Sequence, residues 1–147
     1  EPVIRQVEIE KPARYKVAGV IDGDTIVVNM NDRPETIRFI GVDTPETVHP
    51  SKPKECYGEE ASKSTLEMLL GKSVYLVPDP QTKDIDQYGR FLRYVFLEDG
   101  TFVNAKLIEG GFGFNYIYDP FQFMKEFDRL EKYAKSIKVG LWGACNP

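Results

Sequence analysis

Histidine is almost missing from this chain. His49 is the single imidazole among 147 residues, which excludes ribonuclease chemistry built on two histidines as acid and base. A Ser-His-Asp hydrolase would have to use the same residue, and no Gly-x-Ser-x-Gly elbow accompanies it. His49 lies in a proline-rich loop and reads as a solvent-exposed side chain. Cysteine is equally scarce. Cys56 and Cys145 are the only two, so no Cys/His cluster exists to build a zinc site. They allow one disulfide or two unrelated thiols. Both sit in polar, turn-like contexts, "KECYGEE" and "LWGACNP", and a bond between them would imply an oxidising compartment. No apolar run approaches the roughly 20 residues that span a bilayer. A signal-peptide pattern is lacking as well. "EPVIRQVEIEKPARYKV" is charged and holds two prolines, and it reads as a mature N-terminus or tail, so export would be invisible here. Excess positive charge is absent: the net charge of −4 argues against holding nucleic acid by bulk electrostatics. It is compatible with a metal enzyme, whose carboxylates are partly neutralised by the ion.

What remains is ordinary globular composition, 41% apolar and 29% charged. The length suits one domain, able to bury about two thirds of its unfolded surface. There is no internal repeat and no low-complexity tract. "YKVAGV" and "TIVVNM" read as strands around the turn "IDGD", and "ETIRFIGV" follows the turn "NDRP" as a third strand. Residues 43–56 form a loop with three prolines. "YGEEASKSTLEMLLG" predicts a helix with Leu66, Leu69 and Leu70 on its apolar face and Gly71 at its end. "SVYLVP" and "RFLRYVFL" are the fourth and fifth strands, separated by a polar loop, and "FVNAKLIEGG" predicts a short helix closed by glycine. Phe123, Phe127, Leu130, Ala134 and Ile137 recur at helical spacing and predict the last helix. The class is α+β, and five strands in this order could close as a small OB-type barrel among other arrangements.

The acids cluster in turns. Asp22 and Asp24 flank Gly23 in "IDGDT", where a simple hairpin turn is the plainest reading and a carboxylate of Asp24 aimed into a cleft is the functional one. "VDTPE" supplies Asp43 and Glu46 directly after a strand. Three acids on two connected turns are hard oxygen donors that suit Ca²⁺ or Mg²⁺. Arg38 interrupts the apolar run of that strand, and alternation directs it to the face opposite Ile37 and Phe39. A buried arginine needs an anionic partner. Arg90 opens the fifth strand after the turn Tyr88-Gly89. Two fixed guanidiniums beside carboxylates match phosphate oxygens bidentately, as phosphoryl transfer requires. Tyr116 and Tyr118 in "FGFNYIYDP" would share one face of an extended segment, either as core or as a stack for bases.

Taken together, "VIDGDT", "IRFIGVDTPET", "YGEEAS", "DQYGRFLRYV", "DGTFVNAKLIEGG" and "GLW" resemble the staphylococcal-type thermonuclease (micrococcal nuclease) family. The resemblance runs from Tyr15 to Trp142, leaving residues 1–14 and 143–147 as tails. It implies a five-stranded OB-type barrel with three helices; a monomer is expected, and a Cys56–Cys145 bond would make it a secreted or cell-surface protein. The resemblance also implies Ca²⁺-dependent hydrolysis of DNA and RNA at the 5′ P–O bond, leaving 3′-phosphates, with single-stranded substrate preferred. By the same resemblance Asp24, Asp43 and the carbonyl of Thr44 would hold calcium, and Glu46 would act as general base. Arg38 and Arg90 would stabilise the transition state, while Tyr88, Tyr116, Tyr118 and Lys52 would contact substrate. Gln87 stands where relatives often carry lysine. Two rival readings keep the fold without chemistry: a catalytically silent nuclease-like module, and a plain OB-fold single-strand binder. The disulfide, if formed, would close a loop of about 90 residues and stabilise by about 4–5 kcal/mol in the chain-entropy estimate. Neither cysteine belongs to the expected site, so activity is expected to survive reduction while thermal stability falls.

Overall fold

A computed structural model describes Pro2 and residues 13–47, 51 and 53–146. His49 and Lys52, singled out above, lie outside the described residues. Strand β1 (Arg14–Asp22) pairs with β2 (Thr25–Met30), and β2 with β3 (Arg33–Phe39), all antiparallel. The β2–β3 turn carries Asn31 and Asp32 at φ 54° and 62°, the two left-handed residues that a tight hairpin matched to strand twist requires. Strand β5 (Ser73–Val77) pairs with β1 and with β6 (Phe91–Leu97), and β3 meets β6 in parallel, which closes the barrel in the order β1-β2-β3-β6-β5. The OB-type α+β fold expected from the sequence is therefore present. A closed barrel leaves no open edge among these five strands.

The third strand is shorter than expected. It stops at Phe39, and Gly41 turns the chain at φ +78° before the two-residue strand β4 (Val42–Asp43). A Cβ on Gly41 would fall 2.7 Å from the ring of Phe121, so both conformation and space demand glycine. β4 pairs with β7 (Phe114–Asn115) in a second, two-stranded sheet.

Among the described residues four helices occur, where three were expected: α1 (Gly58–Leu69), α2 (Val103–Glu109), α3 (Met124–Ile137) and the single turn α4 (Leu141–Ala144). The buried face of α1 is Gly58, Ala61, Thr65 and Leu69. Leu66 and Leu70, expected on that face, are exposed. They lie one residue, or 100°, beyond the stripe that meets the barrel. The reason is close approach: a Cβ on Gly23 of the β1–β2 turn would lie 3.0 Å from the Cβ of Ala61, which leaves no room for leucine there. On α3, Phe127, Leu130 and Ala134 are buried with Phe123 just ahead of the helix, while Ile137 is exposed at the last turn. One continuous core joins the barrel interior (Ile26, Ile37, Phe39, Val95) to α2 and α3 (Leu107, Ile108, Phe127, Leu130). Among the described residues no helix is long and apolar enough to cross a membrane.

Candidate active site

The strand ends bring the two carboxylate turns together. The register that sets Thr25 opposite Arg38 places the Asp22–Asp24 turn beside the end of β3, and the N–H of Phe39 donates to the carbonyl of Asp24 at 3.0 Å. Asp24 is buried; its Oδ1 accepts from Thr25 Oγ1 at 2.8 Å and its Oδ2 from the Thr44 N–H at 3.0 Å. The guanidinium of Arg38 lies between the turns, 3.5 Å from Asp24 Oδ2 and 3.4 Å from Asp43 Oδ1. Its other nitrogen donates to the carbonyls of Phe39 and Val42. Alternation thus does what the sequence predicts: Ile37 and Phe39 face the core, and Arg38 faces its anionic partners.

Negative charge exceeds the neighbouring positive charge. Burial pushes the Asp22 carboxyl up to about 6; the Asp24 charge and a hydrogen bond with Glu46 add to this, against hydrogen bonds from Thr47 Oγ1 and the Gly23 N–H. Burial likewise raises Asp43; Arg38 opposes this, and Asp24, Glu55 and Glu46 reinforce it. Asp22 and Glu55 therefore belong to the cluster, although neither was assigned a role from sequence. Asp22 could have been found from its place in the same Asp-Gly-Asp turn as Asp24. Glu55 had no local signal, since only the folded loop returns it to Glu46.

A hard cation fits this cluster. All its side-chain donors are oxygens, as Ca²⁺ and Mg²⁺ require. Thr44 Oγ1 is buried without a hydrogen-bond partner beside these carboxylates. No group of three acidic, imidazole or thiol side chains among the described residues is tight enough to hold a metal by itself. Water would have to complete the shell.

Arg38 also lines a cleft of about 190 Å³, together with Arg90, Tyr88, Tyr116, Tyr118, Lys83 and Gln87. Parallel pairing makes this possible. Ile37 faces Phe91 across β3 and β6, so Arg90, one residue earlier, lies at the same barrel end as Arg38. Asp86 presents Arg90: its Oδ1 accepts from the N–H groups of Tyr88 and Arg90, and its Oδ2 from Arg90 Nε at 2.7 Å. Burial would raise the Asp86 carboxyl, but these hydrogen bonds prevail and hold it below its ordinary value. The small β4–β7 sheet delivers Tyr116, whose N–H donates to the Gly41 carbonyl at 2.9 Å and whose ring lies 5.7 Å from the Arg38 guanidinium carbon. Tyr88 and Tyr118 are more than two-thirds exposed, so their rings are open to a planar ligand.

The carboxylates suit a divalent cation, and two guanidiniums line an adjoining aromatic cleft of a closed five-stranded barrel, which places the protein among α+β barrel proteins with a charged cleft. Comparison with known proteins narrows the class. The family model described as staphylococcal nuclease homologue matches residues 36–144. The chain is 42% identical to the thermonuclease of Staphylococcus hyicus over 129 residues, covering 87% of this chain and 75% of that protein. It is 40% identical to the thermonuclease of Staphylococcus intermedius, with the same coverage. It is 37% identical to the endonuclease YncB of Bacillus subtilis (strain 168) over 123 residues, covering 83% of this chain and 58% of that protein. The chain belongs to the staphylococcal nuclease family.

Proposed function

We propose that this protein is a calcium-dependent endonuclease that hydrolyses DNA and RNA at the 5′ P–O bond, leaving 3′-phosphates, with single-stranded substrate preferred. The observation that carries the reading is the Arg38 guanidinium between Asp24 and Asp43, with Arg90 lining the same cleft. Asp24, Asp43 and the Thr44 carbonyl would hold the cation. When bound, it supplies positive charge to the phosphate and favours a nearby hydroxide. Glu46 takes the proton of the attacking water. Arg38 and Arg90 stabilise the charge that grows on the phosphoryl oxygens, with Arg90 toward the departing 5′ oxygen. Tyr88, Tyr116 and Tyr118 position the nucleotide by stacking and hydrogen bonding, which favours unpaired bases. Lys52 is assigned to substrate contact as well.

The bonded cysteines described below suit an oxidising compartment. They support a secreted or cell-surface location, and the protein acts as a monomer. Incubating single-stranded DNA with Ca²⁺, with Mg²⁺ and with chelator tests the proposal. Ca²⁺ should support cleavage, Mg²⁺ less of it and chelator none, because a strict octahedron and slow dehydration suit Mg²⁺ poorly to a site with few protein ligands. End-group analysis should find 3′-phosphate. Binding without turnover under all conditions would instead favour a catalytically silent nuclease-like module or single-strand binder.

A further inference from the structure

We propose that the Cys56–Cys145 disulfide and the side chain of Glu55 form one positioning device for Glu46, so that the bond governs the rate of catalysis as well as stability. The proposal rests on the reading of Glu46 as general base. Cys56 and Cys145 are joined in the structure, with Cα atoms 6.1 Å apart. The sequence-based expectation that activity survives reduction treated Cys56 as remote from the site. In the fold it adjoins Glu55, and Glu55 grips Glu46 twice. The Glu55 N–H donates to the Glu46 carbonyl at 2.9 Å, and the Glu46 N–H donates to Glu55 Oε1 at 2.7 Å. The Glu55 carbonyl in turn accepts from the N–H of Gly58, which opens α1. A Cβ on Gly58 would lie 3.0 Å from the Glu46 carbonyl oxygen and 2.7 Å from Thr47 Cγ2. The Glu46 segment is thus pressed against the start of the helix.

The other half of the bond is anchored beside Asp43. The Cys145 N–H donates to the Leu141 carbonyl, and Leu141 is buried. Trp142 meets Phe114 edge-on at 5.4 Å, and Phe114 is the β-partner of Asp43. The disulfide therefore closes a ring of contacts. It links the segment that clasps Glu46 to the segment that pairs with Asp43. Without it, Glu46 and Thr47 keep their hydrogen bonds to Asp22, while the Glu55 side of the clasp keeps the ring contact of Tyr57 with Phe112, the backbone bonds at the start of α1 and the exposed ion pair of Lys54 with Glu59. Exposed pairs hold a segment weakly. The tyrosine-lined cleft includes none of these residues, so loosening the clasp should slow chemistry while leaving nucleotide binding intact.

The test compares the oxidised protein with Cys56→Ser/Cys145→Ser, Glu55→Ala, Glu55→Gln and the combination of Glu55→Ala with the serine pair. Steady-state cleavage of a short single-stranded DNA with Ca²⁺ is measured at a temperature where circular dichroism shows every variant folded. The serine pair and Glu55→Ala should each lower kcat about 10-fold with KM within about twofold, since small misplacements of a reacting group cost rate steeply. Glu55→Gln should keep most activity, because its amide oxygen still accepts from the Glu46 N–H. Added to the serine pair, Glu55→Ala should cost much less than it does alone, as expected for groups acting through one contact. Wild-type kcat in the serine pair, additive losses, or a loss confined to KM would overturn the proposal. Amide hydrogen exchange at Glu46 supplies a readout independent of turnover. Protection there should fall about 10-fold in the serine pair, reporting local opening. Unchanged protection sinks the device even if the wild-type protein cleaves nothing, an outcome that by itself would refute only the nuclease reading.

Discussion

Arg38 and Arg90 line one cleft but are held by different means. Arg38 sits inside β3 with its side chain 12% exposed, bonded to two backbone carbonyls and flanked by Asp24 and Asp43. Arg90 precedes β6 with its side chain 30% exposed, and the side chain pairs with Asp86, four residues earlier in its own turn. The first arginine is fixed by the barrel and the second by a local turn. Asp24 and Arg38 take their positions from strand register, through the Thr25–Arg38 pairing and the Phe39 N–H bond to the Asp24 carbonyl. On the aromatic side position comes from individual carboxylates that present backbone and side-chain donors, so single substitutions should loosen it selectively.

The largest effect is expected where both sides converge on the phosphate. Arg38→Ala and Arg90→Ala should each lower turnover by about 10²-fold or more, the scale for losing one preorganised donor to a transition-state oxyanion. Lysine should rescue Arg38 least, because a point charge cannot replace a planar fork bonded to Phe39 and Val42 at one nitrogen and near Asp24 and Asp43 at the other. Single-turnover rates at saturating Ca²⁺ check this; near-normal rates in either alanine variant would remove that arginine from the mechanism.

Asp79 comes next. This buried carboxylate accepts from the N–H groups of Gln81 and Gln122 and from the Tyr94 hydroxyl at 2.6 Å. It thereby ties the loop carrying Tyr88 to the segment following Tyr118. Asp79→Ala removes the acceptor of the buried Tyr94 hydroxyl and the carboxylate that joins the Gln81 and Gln122 N–H groups, and should destabilise by about 1–3 kcal/mol, the cost of one buried donor losing its partner. Denaturant unfolding measures it, and a loss below about 1 kcal/mol would show that the two loops are held independently.

Asp86→Asn should act on the Tyr88–Arg90 turn, and with a pH signature. The Asp86 carboxyl is held below its ordinary value, so its stabilising contribution is complete above the unfolded carboxyl value near 4 and is lost as pH falls through the lower folded value. Urea midpoints of wild type and Asp86→Asn should differ at pH 7 and converge in acid. A constant difference would mean that the turn does not depend on the ionised carboxylate. The smallest effect belongs to Tyr118→Ala, which removes an exposed ring from the cleft. It should raise KM about 5-fold, corresponding to the lower end of base-stacking energies, with kcat nearly unchanged.

Local chemistry was legible in the chain itself. Alternation around Ile37 and Phe39 assigns Arg38 to the other face. Asp-Gly and Asn-Asp specify their turns, and the acids fall in those turns because short polar side chains suit them. The helical spacing of Phe123, Phe127, Leu130 and Ala134 marks α3. These signals depend on neighbours within a few residues, so no knowledge of distant contacts is needed to read them. Three features depend on the tertiary structure. Parallel pairing of β3 with β6 brings Arg90 to Arg38, although 51 positions separate them in sequence. The close approach of the Gly23 turn to Ala61 selects the stripe of Gly58, Ala61, Thr65 and Leu69 on α1 over Leu66 and Leu70. The return of the loop to the start of α1 places Glu55 on Glu46 and Cys56 against Cys145. Each of these follows from closure of the barrel and from steric fit between segments far apart in the chain, and no local pattern encodes either.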